Sequence, residues 1–108
     1  MEKKFIANKI CMNLCLARQN CENAVDFIKD DKTDFIHHVG TYVLHYINKA
    51  IEYCENDDMK NAKDGTLFVY RNALTGHEGY SANKDKDDIK WLVSHLEEAI
   101  ELFDEYFE

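Results

Sequence analysis

Apolar residues recur along this chain at intervals of three and four. Over roughly 4–29 the stripe is Ile6, Ile10, Leu14, Ala17, Cys21, Val25 and Ile28, one face of a helix. Lys9, Asn13, Arg18, Asn20 and Asn23 fall mostly off it. The polar run Lys29-Asp30-Asp31-Lys32 breaks the pattern, and Asp31 or Thr33 offers a side-chain oxygen to cap the next helix. A second stripe, roughly 33–55, carries Ile36, Val39, Val43, Ile47, Ala50, Ile51 and Cys54, broadened by Tyr42, Tyr46 and Tyr53. Gly40 inside it lowers helix propensity by about 1 kcal/mol relative to alanine, which points to close approach of another helix. The last stripe, roughly 86–107 and capped by Asp85 or Asp87, is the cleanest. Ile89, Leu92, Val93, Leu96, Ile100, Phe103 and Phe107 line one side; Glu97, Glu98, Glu101, Asp104 and Glu105 line the other.

Between these, Glu55-Asn56-Asp57-Asp58 is a second break with good capping residues. The run Thr66-Leu67-Phe68-Val69-Tyr70 reads two ways. Its β-branched and aromatic residues favour a strand, while Leu67, Tyr70 and Leu74 fit a helical stripe. A strand would find no partner elsewhere, and a lone hairpin is marginal, so the prediction is a helix that stops near Gly76. Residues 78–88 read as a polar loop. The expected fold is therefore all-α: one domain, residues 1–108, forming an antiparallel up-down four-helix bundle. Zero prolines and four glycines favour long helices.

Charge narrows the function classes. The net charge is -8. Residues 1–54 balance seven Lys/Arg against seven Asp/Glu, whereas residues 55–108 carry six against fourteen. A global basic footprint for nucleic acid is absent. No apolar run approaches the roughly 18 residues of a membrane span. The N-terminal lysines and apolar residues are interrupted by Asn8, Lys9 and Asn13, so the segment reads as a helix, not a signal peptide, and the expected location is the cytoplasm. Four cysteines then stay reduced. A metal site of Cys11, Cys15 and a histidine such as His45 is disfavoured, because no paired CxxC spacing is present; neither metal nor cofactor is expected. His37, His38 and His45 read as surface or edge residues of the second helix.

The densest cluster of functional groups is Arg71, Asn72, His77 and Tyr80, next to Gly76 and Gly79. On one continuous helix His77 would lie some 240° round from Arg71. Gly76 can turn the chain, so that His77 folds back toward Arg71 or meets the Arg71 of a second copy. An arginine that neutralises phosphoryl oxygens and a histidine that moves protons near neutral pH suffice for RNA cleavage by its own 2′-hydroxyl. Asn72 would orient either group, and Tyr80 would touch a phosphate or base. Lys84, Lys86 and Lys90 offset the acidity locally.

The segment RNALTGHEGY, followed by a polar loop and a final amphipathic helix containing a tryptophan, resembles the HEPN superfamily. Those small all-helical proteins have an Arg, often followed by Asn, four to six residues before a His; Arg71-Asn72 and His77 leave five between. The resemblance implies a metal-independent ribonuclease of a toxin–antitoxin or defence system, dimerising so that two motifs share a cleft. Arg71, Asn72 and His77 match the motif, and Tyr80 is the candidate for the tyrosine that an antitoxin adenylylates in one branch. The Arg–His gap is one residue longer than in that branch, and the His–Tyr gap is two residues instead of one. Two alternatives remain: a non-catalytic helical module that partners a nucleotidyltransferase or other protein, and an acidic nucleic-acid mimic that blocks a basic protein.

Overall fold

A computed structural model describes residues 2–28 and 33–108. Among them every regular element is a helix. Helix α1 is Lys3–Phe27. Helix α2 covers 35–55: one α-turn, Phe35–His38, a π-helical stretch, Val39–Val43, and a longer α-segment, Leu44–Glu55. Helix α3 covers 59–74, as Met59–Phe68 followed by a second π stretch, Val69–Leu74. Helix α4 is the single turn Tyr80–Asn83, and α5 is Asp87–Tyr106. Residues 66–70 are thus helical, as the missing strand partner required. The α4 turn corrects the expectation of an uninterrupted loop over 78–88.

The caps differ from those expected. Asp31 lies outside the described residues. Helix α2 starts after Asp34, whose φ of 59° is left-handed, a conformation Asp tolerates better than most residues. The α5 N-cap is Lys86; Asp87 and Asp88 occupy its first turn instead, where negative charge complements the helix dipole. Asp58 does cap α3, its carboxylate accepting the Asn61 N–H.

A 25-residue α1 is about 37 Å long, so in a body of 44 × 21 × 21 Å it runs along the long axis. It packs most extensively on α5; α2 packs on α1 and α3, and α3 also touches α5. Ile10, Leu14, Phe35, Val39, Leu74, Leu96 and Phe103 are among the fully buried side chains. Gly40 is where α2 meets α1: a Cβ there would collide with the Val25 side chain. Two stripe residues, Val25 and Phe107, are nonetheless about half exposed, at 49% and 45%. Conversely, Asn13 and Asn20 are buried, because each amide finds a partner. The Asn13 amide donates to the Lys9 carbonyl, and Asn20 bonds His95 of α5 at 2.7 Å.

The four cysteines are free thiols. Burial pushes Cys21 and Cys54 up to about 12. Among the described residues no group of His, Cys, Asp or Glu is placed to hold a metal ion, and no helix is long and apolar enough to cross a membrane.

Candidate functional site

The two π stretches pack against each other. A π turn bonds each N–H to the carbonyl five residues back, a wider helix that is rare and frequently found at functional sites. In α3 the Thr75 N–H reaches the Tyr70 carbonyl at 3.0 Å, and the Thr75 hydroxyl donates to the same oxygen at 2.8 Å. The final carbonyls of any helix lack intrahelical donors. Here His38, from α2, supplies one: its Nε2 lies 2.7 Å from the Ala73 carbonyl. A carbonyl only accepts, so Nε2 carries the proton and the neutral ring keeps its lone pair on Nδ1.

Residues 75–79 then turn the chain. The His77 N–H reaches the Leu74 carbonyl at 3.3 Å, and the Tyr80 N–H reaches the His77 carbonyl at 3.0 Å. Gly76 serves this turn by closeness, not by handedness: no glycine has positive φ, but a Cβ at 76 would sit 2.6 Å from the Arg71 carbonyl oxygen. The Gly79 N–H donates to His77 Nδ1 at 2.9 Å. The neutral His77 ring therefore holds its proton on Nε2, the opposite arrangement to His38. The two imidazoles face each other with centroids 4.5 Å apart. Phe35 backs His77 at 5.4 Å, and Tyr42 stacks on His38 at 5.1 Å.

The turn takes His77 onto α2 and not onto Arg71. Among the described residues no hydrogen bond or ion pair joins the two. Arg71 is exposed in the last turn of α3, where its charge complements the helix dipole. It lines a shallow groove with Leu67, Tyr70, Ile100 and two acids of α5, Glu97 and Glu101. Asn72 beside it is exposed. The Tyr70 hydroxyl donates to Glu97 at 2.8 Å, and that bond, with burial, holds its phenol up at about 12. Tyr80 lies near Phe35, with centroids 6.3 Å apart; burial first, then Glu97 and Asp85, raise its phenol.

No family model, curated protein or solved structure matches the chain.

Of the two candidate lysines, Lys84 is exposed. Lys86 is held: its ammonium donates to Asn83 Oδ1 at 2.6 Å, while buried Asn83 donates to the Gly79 carbonyl at 2.8 Å. These bonds fix α4 and, through it, the Gly79 N–H that orients His77.

His38, which the sequence places at an edge, belongs to this cluster. It is half-buried, bonded and in contact with His77. Its signal was present: Phe35, His38, Tyr42 and Tyr46 recur at steps of three and four, a stripe of rings on one helix face.

Proposed function

We propose that the chain is a HEPN-like, metal-independent ribonuclease of a toxin–antitoxin or defence system, working on an antiparallel helical bundle. The observation that carries this reading is the His38–His77 pair: one ring with a free lone pair at Nδ1, the other with an N–H at Nε2, 4.5 Å apart. RNA cleavage by its own 2′-hydroxyl can use that combination, a proton acceptor beside a hydrogen-bond donor. His38 Nδ1 takes the 2′-hydroxyl proton as the 2′-oxygen attacks phosphorus and the bond to the 5′-oxygen breaks; the imidazolium so formed returns that proton to the departing 5′-oxygen, while His77 Nε2–H donates a hydrogen bond to a phosphoryl oxygen. The products are a 2′,3′-cyclic phosphate and a 5′-hydroxyl. The phosphoryl oxygens need a cation. Within one copy Arg71 faces Glu97 and Glu101, so a homodimer in which Arg71 of a second copy supplies it fits best. Asn72, Tyr80 and Lys84 would position the RNA, and an antitoxin or nucleotidyltransferase would restrain the activity.

The test is RNA cleavage by purified protein in excess EDTA. His38→Ala and His77→Ala are each expected to lose about 10²-fold or more, with 2′,3′-cyclic phosphate ends from wild type alone. Mixing Arg71→Ala with His77→Ala protein restores part of the activity if the arginine acts across a dimer. Full activity in both histidine variants would end this assignment.

The acids beside Arg71 favour a second reading, a non-catalytic module whose α3–α5 groove binds a partner protein. It predicts no cleavage by any form.

A further inference from the structure

Beyond Tyr42 the rings continue. Tyr42 meets Tyr46 at 4.8 Å and Phe68 at 6.3 Å, and Tyr46 meets Phe68 at 5.3 Å. They lead from the imidazole pair into a groove of about 520 Å³ between α2 and α3, lined by His45, Tyr46, Lys49, Tyr53, Asp64 and Phe68. That volume falls within the roughly 300–1,000 Å³ of small-ligand sites. Tyr42 and Tyr53 stay 40% and 38% exposed, so these rings are not spent on the core. Asp64 is exposed and, among the described residues, in no ion pair.

The lining selects a ligand by its chemistry. Aromatic faces stack any nucleobase. A carboxylate only accepts hydrogen bonds and takes two donors side by side. Guanine is the base that offers two adjacent donors, N1–H and the 2-amino group, on one edge. Lys49 supplies a cation for a flanking phosphate, and His45 a second ring. We infer that this groove binds a guanine base of single-stranded RNA, with Asp64 reading its edge and Tyr46, Tyr53 and Phe68 stacking it. The polymer rests on the ribonuclease reading; the base preference rests on the groove.

Binding of an uncleavable strand separates the two. Fluorescently labelled 2′-O-methyl pentamers UUGUU, UUAUU, UUCUU and UUUUU are titrated into wild type, Asp64→Asn and Tyr53→Ala. The wild-type protein is expected to bind UUGUU at least about ten-fold more tightly than the others. Asp64→Asn, at an exposed position, removes the preference while keeping weak binding. Tyr53→Ala weakens all four pentamers by about ten-fold. Equal binding of the four, a guanine preference that survives Asp64→Asn, or no binding at all would overturn the inference. A guanine preference with no cleavage of ordinary RNA keeps the groove and removes the ribonuclease; cleavage indifferent to guanine does the reverse.

Discussion

Replacing Gly79 by alanine tests whether the site is built as described. Gly79 is buried with φ of −82°, a value any residue adopts, so the substitution asks nothing new of the backbone. What it adds is one methyl group in occupied space. That carbon would meet the Thr33 side chain and stand 2.8 Å from Phe35 Cβ. The threonine hydroxyl can rotate; a Cβ at the start of α2 cannot. The turn must back away from α2 or Phe35 must shift, an overpacking that typically costs about 1–3 kcal/mol. For 108 residues the unfolding entropy is about 0.23 kcal/mol per degree, so Tm should fall by about 4–13 °C. The same movement lengthens the 2.9 Å bond from the Gly79 N–H to His77 Nδ1. Calorimetry reads the first effect. Imidazole ¹⁵N shifts read the second, as loss of the single Nε2–H form of His77 in the neutral ring. A Gly79→Ala protein with Tm within a degree of wild type and an unchanged His77 signature would refute the reasoning.

Gly65→Ala should act in the opposite direction, because the new methyl meets Ala50 Cβ at an ordinary 3.9 Å and helix-interior alanine outranks glycine by about 0.5–1 kcal/mol; thermal melts should rise by about 2–4 °C. Tyr70 should ionise near 12, and Glu97→Gln should bring it back toward the usual 10 in an ultraviolet titration. Because its folded value is raised, the stability from the Tyr70–Glu97 bond is complete below pH about 10. It is lost as pH climbs toward about 12, so the wild-type advantage over Glu97→Gln should shrink across that window.

The helices were legible because their stripes are long: in α1 the stripe residues Ile6, Ile10, Leu14, Ala17 and Cys21 are all buried. Gly40 announced a close approach, and the Val25 contact supplies it. The exposed side chains of Val25 and Phe107 were not foreseeable, since periodicity places a residue on a face without saying where the facing helix ends. Asn20 falls off the apolar stripe, and nothing local reveals its partner 75 residues away. The site was half visible. His77 and its glycines stood out as a cluster, but the π turns that bring α2 and α3 together carry no composition signal. Without them His38 is one of several histidines on a polar edge. Arg71, the other half of the motif, went to the opposite flank, because the turn at 75–79 carries His77 away from it.

The continuous series of rings from Phe68 through Tyr46, Tyr42 and His38 to His77 has a thermodynamic consequence. If occupying the groove shifts Tyr42, it changes the surroundings of His38, and through the Ala73 carbonyl it tugs on the end of α3. Linkage then requires reciprocity: whatever factor a groove ligand imposes on ligand affinity at the imidazole pair, the pair imposes on the groove. Two surfaces of this small protein would thus share one free-energy account, and a substitution at Tyr42, touching neither ligand, would change how strongly each feels the other.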